Sequence, residues 1–205
     1  MIKSEHSSEI TDKLGSTGYS ICHDFVSPSE AETLRNDLLA LSTSGQFCRA
    51  GVGHGSKYEI LDSIRRDETH WIDRQSSNAT QASLWARLDD LKTMFNRALF
   101  LGLDQFEGHY AVYQQGGFYQ RHRDSFDDSD VEKKTRVVSV VLYLNENWRP
   151  IDGGQLRLYS EDSFTDVQPT SGTLVCFMSR EAEHEVLPCT AQRLSFAGWY
   201  GRSGK

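Results

Sequence analysis

Four side chains carry the chemistry open to this sequence: His122, Asp124, His184 and Arg193. In His122-Arg123-Asp124 a nitrogen donor and an oxygen donor stand two residues apart. On an extended strand residues i and i+2 face the same side, so both can reach one point in space. His184 comes much later and can add a third donor only if a sheet folds back on itself. Two imidazoles and one carboxylate on one face of an ion, with its other positions open, form the ligand set of non-haem Fe(II) oxygenases. Arg193, nine residues past His184, offers a fixed cation that can clamp a carboxylate through two parallel hydrogen bonds.

The tripeptide alone is weak, because 7 histidines and 29 acidic residues in 205 positions give about one such match by chance. The ordered set has more weight: Tyr113, His122 and Asp124, Tyr143, Asp152-Gly153-Gly154, His184, then Arg193. His6, His23, His54, His70 and His109 have no ligand spacing and read as structural or solvent-exposed.

The elements that must hold this set follow from pattern. Residues 1–16 read as a flexible lead-in, and Tyr19 to Phe25 as a strand. Ser27 caps a helix opened by Pro28, with Ala31, Leu34, Leu38 and Leu41 on its buried face and Gly45 at its end. Phe47 to Arg74 has no period and reads as a loop. Its Gly51, Gly53 and Gly55 lack the strand and helix that flank a phosphate-binding loop. A second helix runs from about Gln81 to Leu101, with a stripe of Leu84, Leu88, Leu91, Phe95 and Ala98. Eight period-two strands follow: Gly108 to Tyr113, Tyr119 to Arg123, Arg136 to Leu144, Gln155 to Ser160, Phe164 to Val167, Thr173 to Met178, His184 to Val186 and Arg193 to Tyr200. Helices first and short strands afterwards predict an α+β, mainly β chain. The expected architecture is a jelly-roll or cupin-like barrel buttressed by the N-terminal helices, with 1–205 forming one domain.

Composition narrows the function classes. A net charge of −7 argues against a nucleic-acid surface, which draws on clustered Lys and Arg. No apolar run approaches the roughly 20 residues needed to span a bilayer, and the polar start is unlike a signal peptide, which points to a cytoplasmic protein. Cys22, Cys48, Cys176 and Cys189 form no CxxC pair and read as reduced, buried thiols.

The motifs Tyr113-x8-His122-x-Asp124, Val141-Leu142-Tyr143-Leu144-Asn145, Gly153-Gly154-Gln155-Leu156-Arg157, His184-Glu185-Val186 and Arg193 through Trp199 together resemble the prolyl 4-hydroxylases. The similarity is to the branch that holds the oxygen-sensing hydroxylases of hypoxia-inducible factor and their bacterial relatives. It extends to Ile64-Arg65-Arg66-Asp67 and Trp71. The resemblance implies a double-stranded β-helix, with Fe(II) on His122, Asp124 and His184, and O2 and 2-oxoglutarate as co-substrates. Arg193 and Tyr143 would hold the distal carboxylate of 2-oxoglutarate, and Tyr113 would add a hydrogen bond nearer the metal. Leu156, Val186 and Trp199 would wall the pocket, and ascorbate is a candidate reductant. By the same resemblance Arg65, Asp67 and Arg136 lie where a polypeptide substrate docks. The implied reaction is 4-hydroxylation of a prolyl residue in a protein such as elongation factor Tu, with succinate and CO2 as by-products. A hydroxylase of free amino acids or small molecules and a non-catalytic ligand-binding barrel are the alternatives. A nucleic-acid demethylase is disfavoured because Trp199 stands where that group has a second arginine.

Overall fold

The computed structural model describes residues 4–53, 58–125 and 135–203. His54 and Gly55 therefore lie outside the described residues, as does the side chain of His6. The elements in chain order are α1 (Ser4–Thr17), β1 (Tyr19–Cys22), α2 (Pro28–Thr43), β2 (Cys48–Arg49), β3 (Glu68–Trp71) and α3 (Ala79–Leu99). They continue with β4 (Gln105–Tyr113), β5 (Tyr119–His122), β6 (Thr135–Tyr143), β7 (Leu156–Tyr159), β8 (Phe164–Val167), β9 (Leu174–Met178), β10 (His184–Val186) and β11 (Arg193–Arg202).

The strands form a seven-stranded sheet, in the order β1-β9-β6-β11-β4-β3-β2, and a four-stranded sheet, β5-β10-β7-β8. This is the jelly-roll arrangement expected from the strand pattern, although the two sheets do not close into a barrel. Strand alternation separates two cores. Val138, Val140 and Leu142 of β6, with Leu194, Phe196 and Tyr200 of β11, pack against Leu84, Leu88, Leu91 and Phe95 of α3. The residues between them turn the other way, and Tyr143 joins Ala111, Tyr113, Leu156, Phe177 and Val186 in a smaller core. Full burial of each large apolar side chain stabilises by about 1.5–3 kcal/mol. The helical layer therefore clamps the seven-stranded sheet and leaves its opposite face free to build a site.

Helix termini follow local chemistry. Ser27 caps α2 with a reciprocal capping box to Glu30, and Gly45 takes a left-handed φ of 75° just past the end, a conformation glycine adopts without a Cβ penalty. Asn78 and Gln81 form a second capping box, so α3 starts at Ala79 and not at Gln81.

Three expectations need correction. The N-terminal stretch is not a flexible lead-in from Ser4 onward: it is α1, with Ile10 and Leu14 each 1% exposed. The loop expected over 47–74 contains β2 and β3, and β3 pairs antiparallel with β4 from Glu68↔Val112 to Trp71↔His109. Cys48 is exposed, whereas Cys22, Cys176 and Cys189 are buried free thiols. No described helix is long and apolar enough to cross a membrane.

Candidate active site

β5 and β10 pair so that His122 and His184 stand directly opposite each other, with ring centroids 4.2 Å apart. Asp124 lies just beyond the end of β5, so it reaches the site from a bend and not from the extended strand that its spacing suggested. Leaving the ladder frees it to turn towards both imidazoles. Its Oδ1 is 3.6 Å from His122 Nε2 and its Oδ2 is 3.7 Å from His184 Nε2. One donor atom from each of the three residues falls within 4.8 Å of the others, close enough to hold one metal ion.

Neighbouring groups prepare these donors. His122 Nδ1 pairs with the Gln120 carbonyl at 2.6 Å and His184 Nδ1 with the Ala182 carbonyl at 3.1 Å. Those bonds fix the proton on Nδ1 and leave each Nε2 lone pair facing Asp124. Burial pushes His184 down to about 4, against the pull of Asp124, so it is the neutral imidazole that a metal requires. Against its burial, the Asp124 carboxyl is held well below the usual carboxylate range, so it is the ionised oxygen donor that a metal requires. Ser139 Oγ donates to Asp124 Oδ2 at 2.7 Å and contacts Ser179 Oγ at 2.8 Å. The Tyr119 ring stacks on His122 at 3.6 Å between centroids.

Arg193 is 1% exposed, and among the described residues no carboxylate pairs with it. Its guanidinium lies between two tyrosine rings, 4.9 Å from the centroid of Tyr113 and 5.0 Å from that of Tyr143. Nε donates to the Gly154 carbonyl at 2.8 Å and Nη1 to Ser195 Oγ at 3.3 Å, which leaves guanidinium donors over. The Tyr143 hydroxyl is buried without a hydrogen-bond partner among the described residues. Burial pushes it up to about 12 despite the nearby cation, and burial also raises Tyr113, so both remain neutral donors. A buried cation beside an orphaned hydroxyl is costly unless an anion completes the pair. The donor set therefore fits the carboxylate of 2-oxoglutarate.

Triad and clamp open onto one cavity of about 740 Å³, walled by Leu156, Phe177, Val186 and Trp199 among others. Its size is typical of a small-molecule site. Arg65, Arg136 and His109 line it as well. Arg136 pairs with Glu107 at 2.7 Å and lies 3.7 Å over the Trp199 ring. Asp67 is held behind Arg65 in a two-bond pair of 2.7 and 2.6 Å, with side chains 13% and 0% exposed for Arg65 and Asp67. Arg121 and Arg123 both reach out to Glu183.

Several contributors were not singled out from the sequence. Ser139 is four residues before Tyr143 and Ser195 two after Arg193, so strand alternation could have placed both on the cavity face. Phe177 and Tyr119 carry no such signal. Gly154 does more than turn the chain. At φ +66° an added Cβ would meet Arg193 Cδ at 3.0 Å and Cys189 Cβ at 3.1 Å. Gly154→Ala should accordingly displace the guanidinium and weaken 2-oxoglutarate binding roughly tenfold, the worth of one disturbed charge-assisted bond. Calorimetric titration under nitrogen measures it.

Fold and site together define a non-haem oxygenase architecture, and similarity to known proteins agrees. Residues 108–201 match the 2OG-Fe(II) oxygenase superfamily. A Pseudomonas putida prolyl-4-hydroxylase structure is 38% identical, with 97% of this chain and 100% of that one aligned at a TM-score of 0.84. A Trichoplax adhaerens prolyl hydroxylase, solved in complex with a hypoxia-inducible factor oxygen degradation domain peptide fragment, is 28% identical over 95% of this chain and 88% of that one, with a TM-score of 0.82. The Caenorhabditis elegans hypoxia-inducible factor prolyl hydroxylase is 28% identical over 91% of this chain, which spans 27% of that longer protein. The chain belongs to the prolyl hydroxylase family of 2OG-Fe(II) oxygenases.

Proposed function

We propose that this protein hydroxylates C4 of a prolyl residue in a protein substrate, in the cytoplasm, with elongation factor Tu as the candidate recipient. The observation that carries the reading is a metal triad and a buried Arg193 that pairs with no carboxylate among the described residues, on one cavity, in a chain 38% identical to a prolyl-4-hydroxylase. His122, Asp124 and His184 would hold Fe(II). Arg193 and Tyr143 would bind the distal carboxylate of 2-oxoglutarate, and Tyr113 would donate a further hydrogen bond to the co-substrate nearer the metal. When bound, the pair supplies the oxidation: one O2 oxygen goes into succinate as CO2 leaves, and the other becomes the hydroxyl on the prolyl carbon. Leu156, Val186 and Trp199 keep the site dry, and Arg136 guides the incoming chain at the rim.

Two measurements test this. Fe(II) and 2-oxoglutarate added under nitrogen should give a weak visible charge-transfer band, lost in Asp124→Ala and in His184→Ala. Proteome mass spectrometry of an intact strain against a deletion strain should reveal a proline carrying one added oxygen. A change confined to a free metabolite would instead establish small-molecule hydroxylation.

A further inference from the structure

His109 has no place in the metal triad or the carboxylate clamp, yet it lines the same cavity. The residue is 5% exposed, and its ring sits beside two indoles, 4.8 Å from the centroid of Trp71 and 5.3 Å from that of Trp199. Trp71 is its cross-strand partner in β3 and is 52% exposed, so this wall runs outward to solvent. In β4 His109 is four residues from Tyr113, the cross-strand partner of Arg193, or about 13 Å along the strand at 3.2–3.4 Å per residue. The charged groups that act on the ring are Arg65, Arg136 and Asp124. All three belong to the rim or the metal end, and none to the clamp.

Burial, with Arg65 and Arg136 adding to it, lowers the ring to about 3, so it is a neutral imidazole carrying one proton. Nδ1 is sealed off and has no hydrogen-bond partner among the described residues. A sealed nitrogen tolerates an unused lone pair better than an unmet N–H, so we assign the proton to Nε2. With Nδ1 sealed, the Nε2 edge is the one a ligand can meet. A neutral donor between aromatic walls suits a neutral acceptor better than a carboxylate. A prolyl residue brings no backbone N–H of its own, so polar recognition of its backbone falls on donors aimed at carbonyl oxygens.

We propose that His109 positions the substrate, its Nε2–H donating to a backbone carbonyl oxygen beside the target proline. This rests on the prolyl reading above and adds a recognition contact to it.

The test compares His109→Phe, which keeps an aromatic ring between the two indoles, with His109→Gln, which restores a side-chain N–H. The probe is a fluorescein-labelled peptide spanning the proline that gains oxygen in the strain comparison. Its affinity is read by anisotropy under nitrogen, with Fe(II) and 2-oxoglutarate bound. His109→Phe should weaken the peptide roughly tenfold, the loss of one well-made hydrogen bond. His109→Gln should recover most of that loss, and 2-oxoglutarate affinity, read from the visible band, should hold in both. Unchanged peptide affinity in His109→Phe overturns the proposal. So does a His109→Gln variant as weak as His109→Phe, because shape and not donation would then matter. A fall in 2-oxoglutarate affinity also overturns it, by putting the acceptor on the co-substrate. Failure of the prolyl reading itself shows earlier, as wild-type protein that modifies no proline.

Discussion

Arg193→Leu should weaken 2-oxoglutarate binding by two to four orders of magnitude, the largest effect on co-substrate affinity expected from any single replacement outside the triad. Each charge-assisted hydrogen bond to a carboxylate contributes about 1.5–3 kcal/mol, and a guanidinium fork makes two at once. Their loss, about 3–6 kcal/mol, converts at roughly 1.4 kcal/mol per tenfold. Folding should suffer far less. Leucine removes a buried cation that has no acid partner among the described residues, and this relief offsets the Gly154 carbonyl left unpaired. Calorimetric titration gives the affinity and a thermal melt without co-substrate gives the stability. Wild type should gain thermal stability from 2-oxoglutarate by mass action, and the variant should gain almost none at the same concentration. Tyr143→Phe removes only a neutral hydroxyl and should cost about tenfold. Equal affinity in Arg193→Leu and wild type would place the carboxylate elsewhere.

The half of the molecule after residue 105 was legible because period-two alternation is a strong signal where one sheet face is buried. Tyr143, Val141 and Ser139 fall on the cavity side, and Leu142, Val140 and Val138 on the helix side, as the pattern requires. β3 was not legible. Glu68-Thr69-His70-Trp71 has no apolar alternation, and its strand conformation comes from pairing with β4. In α1 only Ile10 and Leu14 are buried apolar residues, a seam too thin to separate from noise. Residue type points to the metal donors, but spacing says nothing about where a ladder ends, so the sequence puts Asp124 on a strand. The supports around them, such as the Gly154 carbonyl under Arg193, are set by tertiary contact. His109 reads as structural in the sequence because ligand spacing cannot reveal a nitrogen without a partner. Burial is the property that sequence conveys least, and it changes what the Arg65 and Asp67 pair is worth.

Asp67→Ala tests that last point and should lower the thermal midpoint by roughly 6–20 °C. On a surface such a pair would be worth about 0–1 kcal/mol. Here the Asp67 side chain is fully enclosed and that of Arg65 is 13% exposed, and removing one partner of a buried pair costs about 3–5 kcal/mol. For a chain of this length each kcal/mol shifts the midpoint by about 2–4 °C. The pair also anchors a path to the metal. Arg65 donates to the Gly51 carbonyl at 3.3 Å and lies 4.2 Å over the Tyr119 ring, which in turn stacks on His122. Loss of Asp67 should therefore loosen Arg65 against Tyr119 and reduce affinity for Fe(II) as well as stability, the first read from the visible band during a metal titration and the second from the thermal melt. Replacing both partners, Arg65→Met with Asp67→Leu, removes the stranded charge and should recover much of the midpoint. It should not recover the metal affinity, because the cation over Tyr119 is still missing. A midpoint lowered by less than about 2 °C in Asp67→Ala would mean that the pair behaves as an exposed one, and the path from Asp67 to His122 would then carry no mechanical load.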